Sequence, residues 1–275
     1  MFKGVEGIDH EDHREFSAFH YAGCQGNAVT YERFLTTEDI ARMLGLELTR
    51  LAPDDCCGGV EDPPNFFSGI VAPLRILDLA GTTPVVSSCL SCLANMRGAF
   101  RRMEENPETR RRARFSMQVV GYEVPSSTNA RHLLDLLAEG HLPEKVTDRK
   151  IVDLDQLPVV LYYGCRKQQL EPDTPTMVEN TIERMGAKWL PFSLEEYCCG
   201  GPQSYQGAIG FGKSRNILTE AEEKGARAVV TICGMCQANL EKERASILVI
   251  PFLQLLAVSL GMVDPKIWLS PFHFY

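Results

Sequence analysis

Along the chain, short apolar runs alternate with amphipathic stretches of helical period. Pro158-Val159-Val160-Leu161-Tyr162-Tyr163 is a continuous apolar run that ends at Gly164, and it predicts a buried strand. Helical spacing follows from Thr176 to Met185 and stops at Gly186. Ala187-Lys188-Trp189-Leu190 comes next, then a predicted helix from Arg215 to Lys224 closed by Gly225, then a second buried strand from Ala228 to Ile232. Ile247-Leu248-Val249-Ile250 predicts another strand, with Pro251 at the first position of a helix from Phe252 to Leu260 before Gly261. This alternation predicts an α/β fold with mostly parallel sheets. The polar, proline-containing stretch from Leu142 to Pro158 reads as a linker, which divides a first domain, residues 1–150, from a second, 151–275. Ile247 to Val263 is the longest apolar run, but it is short for a membrane span and broken by Pro251, Gln254 and Ser259, so no transmembrane segment is expected.

The chain also repeats itself. Cys24 recurs as Cys165 at an offset of 141, Cys56-Cys57 as Cys198-Cys199 at 142, and Cys89 and Cys92 as Cys233 and Cys236 at 144. All ten cysteines are used. Their surroundings recur as well: Tyr21-Ala22-Gly23-Cys24 against Tyr163-Gly164-Cys165, Cys56-Cys57-Gly58-Gly59 against Cys198-Cys199-Gly200-Gly201, Val85-Val86-Ser87-Ser88-Cys89 against Val229-Val230-Thr231-Ile232-Cys233, and Ala94-Asn95 against Ala238-Asn239.

Ten cysteines could form a secreted disulfide framework, but that device belongs to short domains without a sufficient core, and this chain of 275 residues is 44% apolar. Its amino-terminal stretch, with His10-Glu11-Asp12-His13-Arg14-Glu15, lacks the apolar centre of a signal peptide, so a reducing, cytoplasmic setting is expected. A net charge of −8 argues against sequence-independent nucleic-acid binding, which depends on Lys and Arg neutralising phosphates.

In each half the cysteines fall at the ends of predicted strands, where loops of a parallel sheet converge and ligand sites form. Cys89-x-x-Cys92 and Cys233-x-x-Cys236 place two sulfurs on one face of a helical first turn, near free N–H groups. Neighbouring cysteines on an extended strand point apart, so each Cys-Cys pair shares a site only if the backbone turns sharply, which the following Gly-Gly pairs permit. Structural zinc takes four ligands and each half offers five cysteines, so one thiol would have no role; cysteine-only ligation suits an iron–sulfur cluster, and the count of five points to an unusual one. A thioredoxin-like dithiol would leave six cysteines unexplained.

The repeated motif resembles a known family over nearly the whole chain: the B-type subunit of heterodisulfide reductase and related proteins with paired cysteine-rich CCG domains. Cys233-Gly234-Met235-Cys236-Gln237-Ala238-Asn239-Leu240 is especially similar to the B-type form. The resemblance implies two duplicated Rossmann-like subdomains. It also implies two noncubane [4Fe-4S] clusters, one held by Cys24, Cys56, Cys57, Cys89 and Cys92, the other by Cys165, Cys198, Cys199, Cys233 and Cys236. The implied activity is that of an oxidoreductase component that acts on sulfur groups, reducing or forming a disulfide of small thiols at the clusters themselves, with no separate catalytic residue assigned. Implied partners are a ferredoxin-like and a flavoprotein subunit of the same complex, because the chain has neither a ferredoxin-type cysteine run nor a flavin fingerprint. Related alternatives are an electron relay in a lactate-, glycolate- or fumarate-linked enzyme and a sulfur-oxidising complex acting on a sulfur carrier. The first half departs from the family's usual wording at Cys89-Leu90-Ser91-Cys92 and Val60-Glu61-Asp62-Pro63-Pro64.

Other residues have plainer readings. His10 and His13 read as surface residues, and His132 as structural. His20 reads as a satisfied strand histidine, with proton transfer near the first cluster as the sharper alternative. Arg101, Arg102, Arg110, Arg111, Arg112 and Arg114 form either a solvated helix face or a dock for an acidic partner. Gly207, Gly210 and Gly212 lack the strand that a nucleotide loop requires, so no nucleotide site is expected.

Overall fold

The structure, a computed structural model, describes residues 17–23, 35–53, 55–59, 65–201, 212–243 and 245–264. Two four-stranded sheets form its frame. β1 (Ser17–Tyr21), β2 (Glu47–Arg50), β3 (Val85–Ser87) and β4 (Ala130–His132) lie in the order β2-β1-β3-β4. β5 (Pro158–Tyr162), β6 (Lys188–Trp189), β7 (Ala228–Thr231) and β8 (Leu248–Pro251) repeat that order as β6-β5-β7-β8. Each of these pairings is parallel, so the expected "mostly parallel" sheets are wholly parallel among the described strands. Strands β3 and β7 are buried at every residue, because helices cover both faces of a parallel sheet, and the sequence accordingly shows Val85-Val86 and Ala228-Val229-Val230 there, each closed by a buried hydroxyl residue.

Among the described residues the α-helices, in chain order, are α1 (Thr37–Met43), α2 (Ala72–Ala80), α3 (Leu90–Glu105), α4 (Pro107–Val119), α5 (Leu133–Glu139), α6 (Leu142–Arg149), α7 (Thr174–Arg184), α8 (Lys213–Glu223), α9 (Gly234–Glu241) and α10 (Phe252–Ser259). A π-helical turn, Phe67–Val71, leads into α2. Thr36 caps α1 by accepting from the Asp39 N–H, and Asn106 caps α4 by accepting from Glu108 and Thr109 ahead of a proline-started first turn. Where the sequence predicts a linker, residues 142–149 form α6, also opened by a first-turn proline, and this helix packs on α7. Pro251 closes β8 opposite Thr231 and stands just before α10, one position earlier than expected.

While the sheets keep to either side of position 150, the helices do not. After β4, α5 and α6 leave the first sheet and pack on α7 of the second half; after β8, α10 crosses back onto α1 of the first. Polar contacts fasten both crossings. The buried Asp135 carboxylate on α5 accepts from the Glu171 N–H at 3.0 Å and the Thr174 hydroxyl at 2.7 Å, and the Gln254 amide on α10 donates to the Leu35 carbonyl at 3.2 Å. Arg97 bridges the halves by donating to both the Ala130 and Gln169 carbonyls. Hydrogen bonds to a charged group contribute about 1.5–3 kcal/mol each, more than a neutral pair. Asp135→Ala is therefore expected to destabilise the chain by about 2–4 kcal/mol in urea unfolding, and Thr174→Val by about 1 kcal/mol. A loss below about 0.5 kcal/mol for Asp135→Ala would show that this contact does not hold the halves together.

Candidate functional site

The site begins where β3 and β7 end. Cys89 follows β3 and precedes α3; Cys233 follows β7 and precedes α9, and their backbones match, with φ −124° and ψ 115° against φ −133° and ψ 120°. The two helices start against one another across the seam between the halves. Cys89 Sγ lies 3.6 Å from Cys233 Sγ, and the Ser91 hydroxyl sits 3.8 Å from the Met235 sulfur. Both thiols are buried; the contact with Cys233 pulls Cys89 well below the usual thiol range, aided by Cys92 and by the Cys92 and Met235 N–H groups and opposed by burial.

Each double-cysteine loop brings one sulfur inward and leaves the other nearer the solvent. Cys57 and Cys199 are buried; Cys56 is exposed and Cys198 partly so. The turn between them is made by glycine, with φ 95° at Gly58 and 80° at Gly200, and a Cβ on Gly58 would lie 1.9 Å from the Ser68 carbonyl oxygen. Cys57 Sγ rests 3.3 Å from Cys92 Sγ. The Gly200 and Gly201 N–H groups donate to Cys198 and Cys199 Sγ at 3.4 and 3.3 Å.

A pair of latches, repeated in both halves, holds these loops. The Asn95 amide donates to the Cys57 carbonyl at 3.4 Å and to its sulfur at 3.3 Å, and Asn239 donates to the Cys199 carbonyl at 2.6 Å. Tyr21 donates its hydroxyl proton to the Asp55 carbonyl, and Tyr162 donates to the Tyr197 carbonyl at 2.6 Å; each acceptor immediately precedes a Cys-Cys pair. The counterpart of Tyr21 is thus Tyr162 rather than Tyr163, whose hydroxyl turns to the Pro175 carbonyl at 3.3 Å. Residue echoes exposed the asparagines without revealing what they bind.

Cys24 lies outside the described residues, as do His10, His13, Val60 to Pro64, Gly207 and Gly210. Cys165 follows Gly164, at φ 70°, where a Cβ would stand 2.8 Å from Cys236 Sγ. Cys198 is lowered to about 5, chiefly because Cys165 donates to it, with the Gly200 N–H, Lys213 and Arg166 adding to the effect and burial opposing it. Among the described residues, no three cysteine, histidine or carboxylate groups close on a single ion. The donor set nevertheless fits a thiolate-bound cluster: sulfurs converge from strand ends and loops, glycines leave room beside them, and N–H groups point at them.

His20 is a buried strand histidine whose Nδ1 meets Glu38 at 2.8 Å. Although burial opposes it, hydrogen bonds from His20 and Arg50 hold the Glu38 carboxyl well below the usual range. His132 caps α5 by accepting from the Leu134 N–H at 3.3 Å, and burial pushes it down to about 4. Gly212 stands before α8 with no strand leading into it among the described residues.

Two expectations follow from this geometry. Gly164→Ala forces both a strained φ and a contact with Cys236, so the variant should retain little iron when purified without air, whereas Gly225→Ala, which strains φ equally but meets open space far from any cysteine contact, should retain most of it. Equal iron in both would remove the close-approach argument. In the metal-free chain, a Cys198 thiol lowered to about 5 is already a thiolate at pH 7, so its reaction with iodoacetamide should be at its plateau there. Its rate should fall as pH drops through about 5; a rate that only begins to rise near pH 8 would contradict the assignment.

Residues 159–241 match the family described as CCG: Cysteine-rich domain. The 8-methylmenaquinol:fumarate reductase membrane anchor subunit of Wolinella succinogenes is 26% identical over 94% of this chain and 96% of its own length. The B-type subunit of the ferredoxin:CoB-CoM heterodisulfide reductase of Methanosarcina mazei is 23% identical over 64% of this chain and 65% of its own. A protein of Archaeoglobus profundus, described as like the B-type heterodisulfide reductase subunit, is 24% identical over 90% of this chain and 91% of its own length. These similarities bear out the resemblance drawn from the cysteine spacing: residues 159–241 match the CCG cysteine-rich domain, and the chain is similar over much of its length to B-type subunits of heterodisulfide reductase and to a fumarate reductase anchor subunit.

Proposed function

We propose that the chain is the cysteine-rich, B-type component of a cytoplasmic heterodisulfide reductase-like complex, in which a disulfide of small thiols is reduced or formed at paired sites. The observation that carries this reading is the seam, where duplicated cysteine sites meet with Cys89 and Cys233 sulfurs 3.6 Å apart. An iron–sulfur cluster in each half, noncubane and of four irons, would supply reversible one-electron storage. Cys24, Cys56, Cys57, Cys89 and Cys92 would hold one, and Cys165, Cys198, Cys199, Cys233 and Cys236 the other. Reduction of one disulfide consumes two electrons and two protons and gives two thiols, so two adjacent one-electron sites match its stoichiometry.

The chain's own groups keep negative sulfur stable. N–H groups of Cys92, Met235, Gly200 and Gly201 donate to thiolate, and buried helices exclude water around the inner cysteines. Electrons would enter through two further subunits, one ferredoxin-like and one a flavoprotein. A second reading keeps the sites and makes them a relay, with the disulfide step absent; the fumarate reductase anchor subunit, similar over nearly its whole length, supports it. In a sulfur-oxidising complex the same sites would serve a sulfur carrier.

Purified without air, the chain should carry about eight irons and matching sulfide, with no stoichiometric zinc. Cys198→Ala and Cys199→Ala should each alter the low-temperature magnetic resonance of one cluster and spare the other, because the two sets of five cysteines come from separate sheets. An unchanged spectrum with full activity in either variant would remove that residue from the ligand set. Disulfide turnover by the assembled complex separates the two readings: a complex that passes electrons but never cleaves a disulfide is a relay.

A further inference from the structure

We propose that the face formed by α4 and the π-helical turn is the docking surface of an acidic electron-carrier protein, placed so that electrons enter the first half beside Cys56. This deepens the cluster reading above and rests on it. The face has an apolar centre. Phe115 and Val119, one turn apart on α4, are 70% and 69% exposed, and Phe67 on the π-helical turn is 52% exposed. The buried side of α4 is supplied by Ala113 and Met117, so Phe115 and Val119 add nothing to the core. The helix packs on the π-helical turn, and the Arg112 guanidinium lies 4.1 Å from the centre of the Phe66 ring, which joins the exposed groups into one surface. Apolar side chains of this size, gathered and exposed, mark an interaction site.

Charge selects the occupant. Between 101 and 114 six arginines stand against three glutamates, in a chain whose net charge is −8. Arg102 turns inward to the Gly69 carbonyl, and Arg110 and Arg111 meet Glu104 and Glu108, while Arg112 and Arg114 remain on the exposed side of α4. A basic rim around an apolar centre on an acidic chain attracts an acidic partner and orients its approach. The route inward is a cavity of about 280 Å³, lined among others by Phe67, Val120, Tyr122 and Cys56 and by Asp55, whose carboxylate is paired with Arg75. Phe67 and Val120 belong to the docking face, and Cys56 is an exposed cysteine, so the cavity joins the two. A seated carrier passes one electron inward and leaves oxidised; no bond is made or broken.

The test mixes the full chain, purified without air, with an acidic [4Fe-4S] ferredoxin and measures both Kd and the rate of electron transfer. The wild type is compared with the Phe115→Ser/Val119→Ser double variant and with Arg112→Glu. The wild type should bind more weakly as salt rises, and each variant should bind about tenfold more weakly and accept electrons from ferredoxin correspondingly slowly. Dithionite, which needs no dock, should reduce all three alike. Unchanged Kd and ferredoxin rate in both variants would overturn the proposal. So would a wild type that does not bind ferredoxin, and binding to phosphatidylglycerol vesicles lost in the variants would then reassign the face to a membrane. Iron analysis separates the layers: an iron-free chain whose ferredoxin binding still falls in the variants keeps the dock and overturns the clusters, and an iron-loaded chain indifferent to the variants does the reverse.

Discussion

Two helix starts meeting across a seam set the terms for the rest of the molecule. Burying sulfur that carries negative charge is costly unless hydrogen-bond donors surround it, and here donors come from both halves: Cys89 is held by the N–H of Cys92 on its own helix and by that of Met235 on the opposite one. Neither half completes this environment alone. The exchange of helices follows as a structural requirement, since α5 and α6 on α7, and α10 on α1, fix the distance at which the two helix starts face one another. Parallel strand order does the remaining work by sending the carboxyl ends of β3 and β7 to the same seam.

The duplication is strict where it holds cysteine and relaxed elsewhere. Tyrosine and asparagine latches recur with the same acceptors, one on each residue that sets the path of a Cys-Cys loop. By contrast, Ser88 and Ile232 precede the facing cysteines, and His132 and Pro251 end the corresponding strands. The arginine-rich helix α4 belongs to the first half. Similar holding of sulfur within unlike surroundings gives the two halves different electrostatic settings.

Much of this was legible in the sequence because it is carried by spacing. Ten cysteines at nearly constant offsets and unbroken apolar strand runs determine a duplicated α/β frame almost without regard to packing. The exchange of helices was not legible, since the apolar faces of α5 and α10 carry nothing that names the helix they will cover. A first-turn proline explains the misread linker: Pro143 signals a chain break and a helix start equally well, and only the contact with α7 decides. The tyrosine register failed for a similar reason. Tyr162 and Tyr163 are both buried at the strand end, and which one reaches the Cys-Cys loop depends on the alternation of side chains across the sheet.

Access to the seam follows from the space on either side of it. Behind Cys89 and Cys233 lies a void of about 10 Å³, lined by Ser88, His132, Thr231 and Ile232 and by Leu133, Leu134, Phe252 and Leu253 at the starts of the exchanged helices. That is room for about one water molecule. Its polar lining suits one: His132 Nε2 and Thr231 Oγ1 are buried with no hydrogen-bond partner among the described residues. Nothing larger than a water molecule fits there. The more exposed cysteines lie instead on the double-cysteine loops, where Cys56 and Cys198 are the outer members of their pairs and where the glycines permit close approach. The exchanged helices thus serve twice, holding the two halves together and lining the space behind the facing cysteines.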